Sequence, residues 1–414
     1  MKPKAVLAYC REKGIRAVDL RFPDLGGRWK HVTFPVSALT ENAFETGFGQ
    51  ELTLRGRSKE AREQMVLIPM SNANYLDPLL EQPTLVILAT IQEAWTRIES
   101  WMDSRAVTGR ASEYLRATGI ADEAVVRSCQ AFSLERHGAT STSREGPPSQ
   151  AFLSCGPLDF DFSFRCDLAS SAAEAGVNIE RHYRGEIATS EIVLGGLRLL
   201  ECCDDLMMIR YMIEQMAAKQ GVRLETHELT TATQWSLIRS GEEIFGSGLH
   251  PNSHFGLSEI GWNAMGGVLQ HARTLAAIAI AAPRLPSTER YEWRSIVSEN
   301  DPRAICNVLF GSQNPKSRTI EYRGLPARSN PYLHLAAVLM AMIDGIQNKT
   351  PVPKRSESVY AESEPASHRI ADEERGLQDR ESFIEALAVD RDFLLAGSVF
   401  PEPLLDWISD SLKE

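Results

Sequence analysis

The sequence predicts an α+β protein of two domains, a small β-rich one followed by a larger one with an antiparallel sheet and flanking helices. Three observations carry this. Residues 15–22 and 29–34 alternate apolar and polar around the turn Pro23-Asp24-Leu25-Gly26-Gly27, the pattern of a β-hairpin. Helical periodicities and short strand patterns are mixed along the rest of the chain. At 414 residues the chain also exceeds the about 100–200 that one domain usually holds.

Taken in order, a helix precedes the hairpin, and a further strand is expected over 84–90, after a turn-rich stretch at 70–83. Residues 1–103 read as the first domain and 104–414 as the second. The second has a short helix over 109–119, with Gly119 as C-terminal cap. A helix over 162–175, strand-like stretches at 177–182 and 186–190, and an amphipathic helix over 204–220 ended by Gly221 follow. Residues 257–282 read as largely helical, 318–323 as a strand, and 332–348 as an apolar helix reached through Asn330-Pro331. The Ser/Glu/Pro-rich stretches 138–150 and 354–377 read as exposed loops.

Composition excludes several function classes. The net charge of −11, with no basic stripe, argues against a nucleic-acid partner. The longest apolar run, 275–283, is far short of the roughly 20 residues that cross a bilayer. Residues 1–14 lack the apolar centre of a signal peptide. The seven cysteines (10, 129, 155, 166, 202, 203, 306) form no CxxC pair, which fits reduced thiols in a cytoplasmic protein. Adjacent Cys202 and Cys203 point to different faces and make a poor chelate.

Bare motifs take the argument no further. His250 and His254 have metal-like spacing but sit in a Gly/Ser/Pro/Asn stretch with no local third ligand. Gly246-Ser-Gly248 and Gly266-Gly267 lack the strand–loop–helix setting of a phosphate-binding loop. No Gly-x-Ser-x-Gly occurs.

Whole strings are more specific. VDLRFPDLGGRWKHVTFP is followed in order by MVLIPM, EYLRATGIAD, GLSEIGWNAMGGVLQHA, PKSRTIEYR, NPYLHLAAVLMAMIDGIQNK and DRDFLLAGSVF. Together they resemble bacterial type I glutamine synthetase over about residues 14–405. The resemblance implies a β-grasp N-terminal domain, a catalytic-type domain, and a funnel between neighbouring subunits where ATP and two Mg²⁺ or Mn²⁺ ions support γ-glutamyl phosphate formation.

Carried over position by position, most of that chemistry is missing. The metal-binding Glu-Pro-Glu triplet reads Cys129-Gln130-Ala131. Of a glutamate pair eight residues apart, Glu186 is kept and the other position is Leu194. The ligand histidine aligns on Ala232, and the ammonium-loop aspartate on Gln50, near Thr53. The two arginines of the substrate segment are lost from 299–307, where Arg303 stands close by. Lys316 and the strand Ile320-Glu321-Tyr322-Arg323 survive, and Arg318 puts a third cation beside Lys316 and Arg323 near the old nucleotide end.

Of the six metal ligands the resemblance implies, Glu186 and Glu321 remain, too few for a two-metal site. No metal is expected, ATP binding is expected weak or lost, and strand alternation lets Arg323 neutralise Glu321. Three functions stay open. The first is a pseudoenzyme with a binding, scaffolding or regulatory role. The second is an enzyme of changed chemistry, such as a γ-glutamyl ligase or one using Cys129 as nucleophile, with the catalytic candidates Glu321, Arg323 and Cys129 and a pocket remnant of Glu186, Lys316, Arg318, Gln50, Thr53 and Arg303. The third is an authentic synthetase whose ligands are Glu123, Glu135 or Glu191 in a slipped register. The expected assembly is a homo-oligomer, a single ring or smaller, with an intact paralogue or another protein as a further partner.

Overall fold

The computed structural model describes residues 2–54, 62–135, 152–156, 159–185, 189–225, 229–246, 256–281, 294–298, 304–310, 317–352 and 380–413. Two compact units result. Unit 1 gathers Met1–Ala106, Ala131–Gly195 and Asp204–Thr226, and unit 2 gathers Val107–Gln130, Gly196–Cys203 and His227–Glu414.

Unit 1 opens with α1 (Pro3–Glu12), which buries Val6 and Cys10. The predicted hairpin forms as β1 (Ala17–Pro23) and β2 (Trp29–Pro35), in register from Ala17↔Pro35 to Pro23↔Trp29. A single turn, α2 (Ala43–Thr46), leads to β3 (Phe48–Leu52), β4 (Glu63–Leu76) and β5 (Thr84–Glu93). The sheet order is β2-β1-β5-β4-β3, with β1 and β5 parallel and the other pairs antiparallel. The reading of 70–83 as turn-rich is corrected, because β4 runs on to Leu76. Its register against β5 shifts between Pro69 and Asn74, a bulge that accommodates a proline and the polar Ser71-Asn72 in one strand.

Within the same unit, Arg21 is buried among carboxylates. Its Nε donates to Asp19 at 2.8 Å and its Nη2 to Asp77 at 2.6 Å, while its guanidinium lies 4.2 Å over the Tyr211 ring.

After α3 (Ser104–Thr118), strand β6 (Glu123–Glu135) alternates buried and half-buried along its length. Then come α4 (Phe162–Glu174) and the antiparallel pair β7 (Ile179–Arg184) and β8 (Ser190–Leu194), followed by β9 (Leu197–Arg198). Helix α5 (Leu199–Lys219) starts earlier than its polar residues indicate and buries both Cys202 and Cys203. The short β10 (Arg223–Glu225) pairs with the last residues of β6.

Unit 2 is built on a second sheet. Its strands are β11 (Thr230–Arg239), which carries the two-residue β12 (Glu242–Glu243), then β13 (Arg294–Ser298), β14 (Ala304–Phe310) and β15 (Arg318–Pro326). The order is β13-β14-β15-β11-β6, antiparallel except for β13 with β14. The stretch 257–282 forms two helices, α6 (Glu259–Gln270) and α7 (Ala272–Ala281), broken at His271. Helix α8 (Pro331–Asn348) is capped by Asn330, whose side chain accepts from the amides of Tyr332 and Leu333. The chain ends in α9 (Arg380–Val389), α10 (Asp392–Leu395) and α11 (Glu402–Lys413). Helices α7 and α8 both pack on β15. No described helix is long and apolar enough to cross a membrane.

Candidate functional site

Strand alternation gives the unit 2 sheet two unlike faces. On β15, Ile320 and Tyr322 point into the core, while Glu321 and Arg323 share the opposite face. The core side is neutral. Cys306, opposite Tyr322 in register, has its thiol pushed far up by burial and then by the Glu321 charge. Burial also holds the Tyr322 phenol well above its usual range and pushes His334 down to about 3. The phenol and the imidazole share a 2.9 Å hydrogen bond. Gly324 is required here, since a Cβ on it would lie 2.2 Å from the Tyr322 hydroxyl.

On the other face a polar row crosses four strands. Register aligns Arg127 on β6 with Gln234 on β11, Gln234 with Glu321 on β15, and Glu321 with Asn307 on β14. Arg127 Nη1 donates to Gln234 Oε1 at 3.3 Å. Glu321 Oε2 accepts from Arg323 Nε at 2.6 Å and from Asn307 Nδ2 at 3.0 Å. The carboxylate is 8% exposed and the guanidinium 32%, so this is a largely desolvated ion pair reinforced by an amide. Near the end of β11, partial burial raises the Glu243 carboxyl despite the opposing pull of Arg127 and the Ser236 hydroxyl.

The structure thus brings Glu321 and Arg323 together as strand alternation predicts, and adds Arg127, Gln234 and Asn307, which sequence reasoning did not select. Cys129 is half-buried on β6 and sits directly opposite Ala232 of β11. Arg318, at the start of β15, donates to the Ser317 carbonyl at 2.8 Å and lies against Gly256, whose φ of 67° suits glycine. Gln50 is half-buried on β3 and Thr53 is exposed just beyond it, both in unit 1. Glu186, Arg303, Lys316 and the pair His250 and His254 lie outside the described residues. Of the slipped-register candidates, Glu123 and Glu135 are exposed at the two ends of β6 and Glu191 is half-buried on β8, where Leu194 is fully buried.

The donor chemistry of this face does not fit a pair of hard divalent cations. A thiol and a methyl group, Cys129 and Ala232, stand side by side where the resemblance puts ligands, and Glu321 already accepts two hydrogen bonds on one oxygen. Among the described residues, no three His, Cys, Asp or Glu side chains gather in a way that would hold a metal ion.

Comparison with known proteins places this geometry. The family model of the glutamine synthetase catalytic domain matches residues 102–406. The glutamine synthetase of Aquifex aeolicus is 30% identical, with 100% of this chain and 95% of that protein covered. That of Frankia alni is 28% identical over 98% and 94%. A cryo-EM structure of Plasmodium falciparum glutamine synthetase has the same fold, with a TM-score of 0.81 at 16% identity, covering 100% of this chain and 95% of that one.

Proposed function

The chain belongs to the glutamine synthetase family, and from that premise we propose that it no longer joins glutamate to ammonia and serves as a pseudoenzyme, a binding, scaffolding or regulatory protein on this fold. The observation that carries the proposal is the state of the sheet face. Phosphoryl transfer from ATP needs the phosphate charge neutralised by metals or fixed cations. Here Cys129 and Ala232 face each other across β6 and β11, and Glu321 is engaged by Arg323 and Asn307. A divalent cation at Glu321 would meet a carboxylate whose charge Arg323 and Asn307 already balance through Oε2, and would find neither carboxylate nor imidazole at the Cys129 and Ala232 positions.

In this reading residues 1–103, with their five-stranded sheet, form a β-grasp domain and 104–414 a catalytic-type domain without its catalysis. The protein is cytoplasmic, which agrees with seven cysteines of which none is in a disulfide. It assembles as a homo-oligomer of a single ring or less and binds an intact paralogue or another protein.

The test is calorimetric titration of ATP into the full-length protein with and without Mg²⁺, alongside metal analysis and a phosphate-release assay with glutamate and ammonia or an amine. ATP affinity weaker than about 1 mM, worth only about 4 kcal/mol, unchanged by Mg²⁺ and without turnover, is the expected result. Micromolar, Mg²⁺-dependent binding with phosphate release would overturn the proposal in favour of a ligase of changed chemistry. Bound stoichiometric metal with glutamine formation would restore the authentic synthetase.

A further inference from the structure

A buried histidine outside the candidate site ties three parts of unit 2 together. His271 stands at the break between α6 and α7, is 3% exposed, and stacks on Phe393 of α10 with ring centroids 3.9 Å apart. Its Nδ1 lies 2.9 Å from both carboxylate oxygens of Asp390, just past the end of α9. Its Nε2 lies 3.0 Å from Oδ2 of Asp344 on α8. Each carboxylate is itself anchored. Thr274 donates to Asp390 at 2.8 Å, and Asn348 donates to Asp344 at 2.9 Å.

The proton count is decided by the acceptors. An ionised carboxylate only accepts, and a neutral imidazole has a single N–H. With an acceptor at each ring nitrogen, only the doubly protonated imidazolium satisfies both contacts. A neutral ring would aim a lone pair at one of the aspartates, and although the Asp344 and Asp390 side chains are 22% and 34% exposed, the buried ring nitrogen itself has no other partner to turn to in these contacts.

Other charges do not replace the ring. On its own segment Arg273 is exposed. Beside Asp390, Arg391 is paired with Asp406 of α11 at 3.4 Å, and Asp392 opens α10. Helix α8 contributes Asp344, with Lys349 at its C-cap.

We propose that His271 is an imidazolium latch that holds the C-terminal helices 380–413 on α7 and α8 while the ring is doubly protonated and lets them loosen as rising pH removes the extra proton. Burial alone would lower the affinity of this ring for a proton. The hydrogen bonds and charges of Asp390 and Asp344 outweigh it and leave the pKa raised above the ordinary 6.5. For a raised histidine, the stability it contributes is complete below the unfolded value and is lost as pH rises through the folded one, so the latch opens on the alkaline side.

The test uses the full-length protein and two readouts. Exchange of the histidine C2 hydrogen, followed by mass spectrometry across pH, titrates the His271 peptide directly. Backbone amide exchange, corrected for its intrinsic pH dependence, follows residues 380–413. We expect His271 to titrate above an ordinary histidine, and protection of 380–413 to fall about tenfold as pH rises through that titration. In Asp344→Asn the amide can accept from or donate to Nε2, which satisfies a neutral ring, so that loss should shrink to less than about twofold. Titration of His271 at or below the ordinary value, or the same pH profile in wild type and Asp344→Asn, would overturn the latch. Should Asp344→Asn fail to fold, the wild-type titration decides alone.

Discussion

Gly267→Ala is the sharpest probe of how unit 2 is packed. Gly267 of α6 and Gly345 of α8 meet where the two helices approach most closely. A Cβ on Gly267 would fall 2.1 Å from the Ala341 carbonyl oxygen and 2.8 Å from the Gly345 Cα and amide nitrogen. All three are backbone atoms and cannot swing away, so the helices must part by more than 1 Å to restore contacts of 3.4 Å. Separation on that scale opens gaps around Ala264, Val268 and Leu269, which are buried along α6. Strain of this kind costs about 1–3 kcal/mol, gaps add about 1 kcal/mol, and alanine returns about 1 kcal/mol of helix propensity, leaving a net loss of about 2 kcal/mol. Denaturant unfolding should show a lower midpoint at unchanged slope. Gly109→Ala in α3 is the control, because nothing lies within 4 Å of its would-be Cβ, and it should be neutral or slightly stabilising. Equal stabilities of the two variants would refute the close approach of α6 and α8.

Four further outcomes follow from particular contacts. Asn330→Ala removes the acceptor for the Tyr332 and Leu333 amides and should cost about 1 kcal/mol in thermal or denaturant unfolding, with Asn330→Asp recovering most of it. Arg21→Met leaves Asp19 and Asp77 buried without their cation and should cost about 3–5 kcal/mol, measured as the loss of unfolding free energy in urea. Burial opposes ionisation of Asp19, but hydrogen bonds from Thr33, His31 and Arg21 hold its pKa below 3.8, so its stabilisation is present above that value and is lost as acid carries pH through the folded one. A wild-type unfolding series in which acid does not reduce stability would contradict this. Glu321→Ala should cost about 2 kcal/mol, and Glu321→Ala combined with Arg323→Met less than the sum, because the second change removes the cation left behind. Strict additivity would mean that the pair is not coupled.

The parts legible in the sequence were those whose signal is local. The β1–β2 hairpin declares itself by alternation and a glycine turn, and α8 by its asparagine-proline start and continuous apolar run. The pairing of Glu321 with Arg323 follows from a two-residue spacing on one strand. Strand β4 was hidden beyond Met70 because Ser71, Asn72 and Asn74 are turn formers by composition, and the bulge that keeps them in the sheet exists only through pairing with β5. Asn307 and Gln234 were invisible as site residues for a similar reason. Each becomes a neighbour of Glu321 through strand register, which joins residues 14 and 87 positions apart. His271 shows the limit most clearly, since its partners lie 73 and 119 residues away and no sequence spacing links them.

On the proposed reading, the same register bears on why Glu321 is kept on a face that also carries Cys129 and Ala232. Burying a carboxylate to 8% exposure is costly unless it is paired, and in a metal site the cation is its partner. Here Arg323 on the same strand and Asn307 on the next take that role, so the charge is balanced within the sheet. Replacing Glu321 alone removes the carboxylate that balances the Arg323 guanidinium, and replacing Arg323 alone leaves the buried carboxylate with the neutral Asn307 amide, so each favours keeping the other. On the proposed reading, retention of Glu321 is a requirement of folding and not of chemistry. On that argument, conversion of Arg323 and Glu321 together should be tolerated by the fold, whereas an enzyme that still uses Glu321 could not spare it.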